Sequence, residues 1–276
     1  MKSFKYYKPD TIQEASELLV KFGEEASILN GGTDLIVRMR DYVTSPKAVV
    51  DIKGIKTLHK IECKENELYI GACVKLSEIQ KNEFIRDKLP FFVQAISTIA
   101  SGQVRNRATC VGNICNASPL ADTATPLLSL NATIHIYSPD SPRDILLSDL
   151  FVFVRKTSLK VGEIATGITI PIEEGVEGAY KKISRRKEVD LSTVCSTVVK
   201  VKDDYRISYG AVAPTPIRLT KTEAFLSGRT LTKETIEEAC DIAVGEVSPI
   251  SDIRASKEYR KEMVRVALRE NLKKWL

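Results

Sequence analysis

The first chemistry the sequence offers lies in Ile28-Leu29-Asn30-Gly31-Gly32-Thr33-Asp34-Leu35. Apolar residues lead into a Gly-Gly pair, and a helical pattern follows. Two glycines admit backbone conformations closed to other residues and let a ligand approach the main chain. N–H groups left free at a helix start, with the positive end of its dipole, suit a phosphate or diphosphate. Thr33 can cap that helix or donate to a phosphate oxygen. Asp34 would repel phosphate, so it belongs in the first helical turn, where the dipole favours a negative side chain. A Gly-Gly turn before such a helix also occurs as a purely structural device, and this run alone does not separate the two readings. It is not G-x-G-x-x-G, and no G-x-x-x-x-G-K-[ST] occurs, which disfavours a nicotinamide Rossmann domain and a P-loop NTPase.

A second stretch runs from Gln103 to Thr123 and includes Arg105-Asn106-Arg107-Ala108-Thr109-Cys110-Val111-Gly112-Asn113 and, further on, Asp122. It holds more hydrogen-bonding groups than a surface turn needs, yet it lies between apolar segments. Buried polar groups require partners. A large polar ligand would supply them; so would a loop bonded to itself. Read together, the two stretches suggest one extended ligand held at two points.

What is absent narrows the chemistry further. Only His59 and His135 are present, without metal-ligand spacing, and six cysteines form no C-x-x-C pair. A histidine-centred triad, a zinc ribbon and a disulfide scaffold are therefore poor fits, and no metal site is expected. The thiols point to a reducing cytoplasm. No apolar stretch approaches the roughly 20 residues of a membrane span, and the charged N-terminus does not resemble a signal peptide. A net charge of +5 over 276 residues is too small for a nucleic-acid binder. The length suggests about two domains.

The elements that must position these residues follow from pattern. Thr11-Ile12-Gln13-Glu14 reads as a capping box opening a helix with its stripe at Ile12, Ala15, Leu18, Leu19 and Phe22, closed by Gly23. Strands at 4–7, 26–29 and 48–51, with a helix at 34–40, predict a small α/β unit. Next come strands at 68–72, 133–137 and 163–170, helices at 76–84 and 90–101, and an apolar segment at 126–130. Beyond the linker at 171–175, strands at 179–183, 194–201 and 206–212 precede helices at 221–226, 233–247 and 254–276. The last carries a Val264, Leu268, Leu272 and Trp275 stripe and a basic face, read as a packed helix with a solvated side.

At the level of motifs, residues 29–35 and the run from Arg105 through Asp122 resemble the two flavin-binding signatures of the molybdenum hydroxylase family. That family includes xanthine, carbon monoxide and nicotinate dehydrogenases. The resemblance is to the FAD-binding medium subunit and covers almost the whole chain. It extends to Lys181 with Ser184-Arg185-Arg186, to Gly210-Ala211-Val212-Ala213-Pro214-Thr215-Pro216-Ile217-Arg218, and to Ile253-Arg254-Ala255-Ser256-Lys257-Glu258. Asn113-Ile114-Cys115-Asn116 and the Arg254–Glu258 run resemble the bacterial xanthine dehydrogenase branch. The implied fold class is α+β. A vanillyl-alcohol-oxidase (PCMH) type FAD domain occupies 1–175, with subdomains at 1–57 and 58–175. A C-terminal domain of the carbon monoxide dehydrogenase flavoprotein type, at 176–276, holds a three-stranded antiparallel sheet and helices.

Carried over by position, the resemblance places Ile28, Leu29, Asn30, Gly31, Gly32, Thr33, Asp34 and Leu35 on the diphosphate side of FAD. Thr109, Cys110, Val111, Gly112 and Asn113 form a second cradle, and Asp122 bonds hydroxyls or ring nitrogens. Ile99, with Ala100 beside it, lines the ligand; Ile168 lies on a strand near the flavin; Lys181 matches a lysine that contacts FAD. Asn30 stands where alanine or valine is common, and Val111 replaces the first glycine of Gly-Gly-Asn. The implied role is electron transfer: a molybdenum-cofactor large subunit oxidises substrate, a small subunit carries [2Fe–2S] clusters, and FAD passes electrons to NAD⁺ or another acceptor. No catalytic side chain is then required, since the flavin does the redox chemistry. The branch points to xanthine or a related purine. The alternatives are a carbon monoxide or nicotinate dehydrogenase subunit, or a self-contained flavin oxidase of the same fold.

Overall fold

Parallel pairing organises the start of the chain. The computed structural model describes residues 1–64 and 66–276. Strands β1 (Lys5–Tyr7), β2 (Ala26–Leu29) and β3 (Ala48–Asp51) form a parallel sheet in the order β1-β3-β2, with α1 (Ile12–Phe22) and α2 (Leu35–Arg40) as the intervening helices. All four residues of the central β3 are buried, as a parallel strand covered on both faces requires. Thr11 caps α1 by accepting from the Glu14 N–H at 3.2 Å, and Gly23 ends the helix at φ +53°. The Glu14 carboxylate reaches the N–H of Asp10 instead of Thr11, so only one arm of the capping box forms as the sequence predicts.

The middle of the chain contributes β4 (Ile61–Lys64), β5 (Glu67–Gly71), α3 (Leu76–Lys81), α4 (Glu83–Lys88), α5 (Pro90–Ser97), α6 (Gly102–Arg105), α7 (Cys110–Cys115), α8 (Ala124–Ser129), β6 (Thr133–Tyr137), β7 (Arg143–Leu146), β8 (Phe151–Phe153), β9 (Lys156–Thr157) and β10 (Ile164–Pro171). Five of these strands form an antiparallel sheet, β4-β5-β10-β6-β7. The predicted helix at 76–84 is two helices. Asn82 breaks it, because its side chain accepts from the Ile85 N–H at 3.1 Å and so caps a new start. The polar stretch after Ser101 is not one continuous loop: it contains two short helices, α6 and α7, joined and followed by turns.

The last part holds β11 (Glu177–Ile183), β12 (Val194–Val201), β13 (Asp204–Gly210) and β14 (Ile217–Arg218), then α9 (Thr220–Leu226), α10 (Lys233–Glu246) and α11 (Lys257–Leu272). Its sheet has the order β11-β12-β13-β14, one two-residue strand more than the three expected. Val264, Leu268 and Leu272 of α11 are buried against β12, β13 and α10. Trp275 falls in a short 3-10 turn beyond α11, packed edge-on to Tyr205 at 5.9 Å. The basic face of α11 is satisfied locally, with Arg265 on Asp241 and Arg269 on Glu237. Helix α8 joins the two halves through buried hydroxyls: Ser129 bonds Ser208 at 2.6 Å, and Thr197 donates to Thr125 at 2.9 Å. No helix among the described residues is long and apolar enough to cross a membrane.

Candidate functional site

The two glycine-bearing stretches meet. A Cβ added to Gly31 would lie 2.4 Å from the Arg107 carbonyl oxygen and 3.0 Å from Cα of Ala108, so the main chains are in contact there and only glycine fits. Gly32 has φ +76°, the left-handed region that the turn from β2 into α2 demands. Among the described residues, the backbone N–H groups of Gly31, Gly32, Thr33, Asp34 and Leu35 have no hydrogen-bond partner. Five successive free donors beside one cavity are the polar deficit that an anionic ligand fills.

On the other side, Thr109 caps α7 by accepting from the Gly112 N–H at 3.1 Å. A Cβ on Gly112 would come within 2.7 Å of that hydroxyl oxygen. Asn113 accepts from Thr123 at 2.6 Å. Asn30 bridges toward the second strand system: its Nδ2 donates to the Ala72 carbonyl at 2.6 Å, while its buried Oδ1 has no partner among the described residues. An orphaned buried acceptor asks for a donor.

These groups line a cavity of about 1040 Å³, at the upper end of the roughly 300–1,000 Å³ usual for ligand sites. Of the sequence-predicted residues, it gathers Ile28, Asn30, Gly31, Gly32, Thr33, Asp34, Leu35, Ile99, Ala100, Thr109, Val111, Gly112, Asn113 and Asp122. Leu29, Cys110, Ile168 and Lys181 stand elsewhere. Cys110 and Ile168 are fully buried in the core, the latter paired with Ile70 and Ile134 across the sheet. Lys181 projects from the opposite face of β11. There it adds to the field of Lys273, whose hydrogen bond chiefly holds the Glu270 carboxyl below its ordinary range. Its neighbour Lys182 is the lysine directed toward the site: Nζ donates to Asp122 at 2.8 Å and to the Thr98 carbonyl at 3.0 Å. Tyr180 and Ser192 also donate to Asp122. Burial first, then the Asp122 charge, keeps the Tyr180 phenol protonated far above its usual range.

The sequence reading did not assign the rest of the lining to the ligand. It includes the segment from Leu159 to Ala165, Arg155 at the β8–β9 turn, and Arg186, Asp190 and Arg254 from the C-terminal part. Arg186 and Arg254 stand in the Ser184–Arg186 and Ile253–Glu258 runs, which carry the family resemblance; Arg155 lies in no such run. Glu163, in the wall, is gripped by Arg143 through two hydrogen bonds of 2.9 and 2.8 Å and takes the Lys160 N–H at 2.8 Å. These contacts, the Arg143 bond foremost, hold its carboxyl below the usual carboxylate range. A depressed carboxylate contributes stability that is complete above the unfolded pKa and is lost as pH falls through that value toward the folded one. Glu163→Gln is therefore expected to lower Tm at about pH 7, with the gap from the parent closing below about pH 4. Thermal melts across that range check this; a pH-independent gap would contradict it.

Residues 2–173 match the family model described as the FAD binding domain in molybdopterin dehydrogenase, and residues 178–275 match the CO dehydrogenase flavoprotein C-terminal domain. The chain belongs to the molybdenum hydroxylase flavoprotein family. It is 31% identical to the glyceraldehyde dehydrogenase medium chain of Sulfolobus acidocaldarius over 95% of each protein. It is equally similar, at 31%, to the xanthine dehydrogenase FAD-binding subunit of Escherichia coli O157:H7, covering 94% of this chain and 91% of the relative. Among solved structures, a carbon monoxide dehydrogenase from Hydrogenophaga pseudoflava superposes with a TM-score of 0.95 at 28% identity, over 99% of this chain and 97% of that one.

FAD is the cofactor of this family's medium subunits, and the site fits it. The free N–H row would suit a diphosphate, and the orphaned Asn30 Oδ1 could accept from a hydroxyl or ring N–H. The Gly31–Arg107 contact brings both glycine-bearing stretches to the same cavity. Asp122 and Glu163 are each compensated by a cation, Lys182 and Arg143, so they do not oppose the anion.

Proposed function

We propose that this chain is the FAD-carrying electron-transfer subunit of a molybdenum hydroxylase complex. In this reading it takes electrons from [2Fe–2S] clusters of a small subunit, after a molybdenum-cofactor large subunit has oxidised the substrate, and hands them to NAD⁺. The observation that carries the reading is the meeting of the two glycine-bearing stretches around one large cavity with five free main-chain donors. Bound FAD supplies the redox chemistry, since a flavin exchanges electrons singly or in pairs. The chain's own residues bind and orient it: Gly31 to Leu35 offer N–H groups, Asn30 offers an acceptor, and Thr109 fixes the start of α7. Lys182, Tyr180 and Ser192 hold Asp122 as an immobile acceptor at the wall. With that division of labour no side chain needs to act as nucleophile or general base, which accounts for a site without histidine.

The substrate belongs to the large subunit. We read it as xanthine or a related purine on the strength of the two Escherichia coli xanthine dehydrogenase relatives, at 31% and 30% identity. The competing readings, carbon monoxide or nicotinate, are supported by relatives of the same similarity. All six cysteines are unpaired, which suits the cytoplasm, where we place the complex.

The purified chain is expected to be yellow, with an oxidised-flavin spectrum, and to release FAD rather than FMN on denaturation. A colourless protein that ignores added FAD would refute the assignment. Anaerobic NADH is expected to bleach the flavin band by running the final step in reverse. Failure to bleach, with FAD bound, would replace NAD⁺ by another acceptor and leave the FAD assignment standing.

A further inference from the structure

One charge beside the glycine turn needs a partner. Asp34 lines the cavity next to the free N–H groups, makes no capping hydrogen bond, and would oppose an anion bound there. Its one ionic partner among the described residues comes from far along the chain: Arg155 Nη1 lies 3.8 Å from Asp34 Oδ1.

Arg155 is held in place from both ends. It sits at the turn between β8 and β9 with φ +60°, a left-handed backbone that arginine disfavours. Its N–H donates to the Ala117 carbonyl at 2.9 Å, and its Nη1 donates to the Asn116 carbonyl at 3.4 Å. Ala117 is itself left-handed, at φ +46°, and 1% exposed. The turn is thus pinned by its backbone to the residues that follow α7, while its side chain reaches Asp34 beside the Gly-Gly pair. A strained residue fixed across a ligand cavity is a signature of a functional constraint.

We propose that Arg155 is a cofactor-binding residue, the counter-charge for the diphosphate of FAD. It rests on the FAD reading above and adds a residue outside both glycine-bearing stretches. The guanidinium has five N–H donors, enough to keep Asp34 and the Asn116 carbonyl while donating to phosphate oxygens. Asp34 then serves to hold the arginine in the cavity, and its own repulsion of the anion is cancelled.

The test is a fluorescence titration of apoprotein with FAD and, separately, with riboflavin, which lacks phosphate. R155Q is expected to weaken FAD binding by about tenfold or more, the loss of one charge-assisted hydrogen bond, and to leave riboflavin binding within about twofold. Its FAD affinity is expected to depend less steeply on salt. D34N in the R155Q background is expected to recover part of the loss, because the uncompensated carboxylate is gone. R155G, which tolerates the left-handed backbone, removes the guanidinium without straining the turn and serves if R155Q folds poorly. Unchanged FAD affinity in both R155Q and R155G overturns the proposal, as does an equal loss of riboflavin binding, which marks a collapsed turn. A parent chain that binds no FAD would instead overturn the cofactor reading on which this one stands.

Discussion

Gly32→Asp protein is expected to emerge from purification without FAD. Gly32 stands at φ +76°, and a Cβ there would lie 2.9 Å from Cδ1 of Leu29. An L residue in that conformation costs about 1–2 kcal/mol. The aspartate carboxylate would also enter the row of free N–H groups from Gly31 to Leu35 and accept the hydrogen bonds otherwise offered to a diphosphate. Charge-assisted bonds of this kind are worth about 1.5–3 kcal/mol each. Together these effects predict a loss of FAD affinity on the order of a hundredfold or more. Gly32→Ala carries the strain without the charge and is expected to fall between the variant and the parent. The ratio of flavin to protein absorbance in folded, purified protein measures both. Full occupancy in Gly32→Asp would mean that this turn does not hold the anion.

What could be read from the sequence, and what could not, divides by range. The left-handed turn at Gly32 is a local conformational demand, so that glycine announces it by type alone. The helix start at Thr109 is equally local, since a cap is written within four residues, but the density of polar residues from Gln103 to Thr123 reads as a loop and hides it. The contact of Gly31 with Arg107 is different: chain packing decides it, and only the polarity of both stretches hinted that one ligand joins them. Arg155 was invisible because its position depends on a bond to Ala117 and on a hairpin too short to show a strand period. Strands β4 and β7 escaped notice likewise; both are four-residue edge strands with exposed charged residues. The α/β start was legible, since its buried β3 and amphipathic α1 have strong periods. The phase of β11 was not. Adjacent lysines at 181 and 182 look alike in sequence, and pairing with β12 sets which of them faces Asp122.

That phase underlies the second large effect, expected from Lys182→Met. The Lys182 and Asp122 side chains are each 8% exposed and 2.8 Å apart. Removing the ammonium leaves a buried carboxylate with only the Tyr180 and Ser192 hydroxyls among its side-chain donors. Breaking one side of a buried pair costs about 3–5 kcal/mol, because the surviving charge loses its compensation. Urea unfolding of the apoprotein measures this without the stabilisation that bound FAD would add. Asp122→Asn in the Lys182→Met background removes the stranded charge and is expected to recover much of the loss, a coupling that independent sites would not show. Lys181→Met, one residue away on the other face, is expected to change stability by no more than about 0.5 kcal/mol. Since Asp122 lines the cavity, FAD affinity is expected to fall with Lys182→Met and to hold in Lys181→Met. The reverse pattern, with FAD lost from the Lys181 variant and kept in the Lys182 variant, would show that β11 meets the cofactor through its other face.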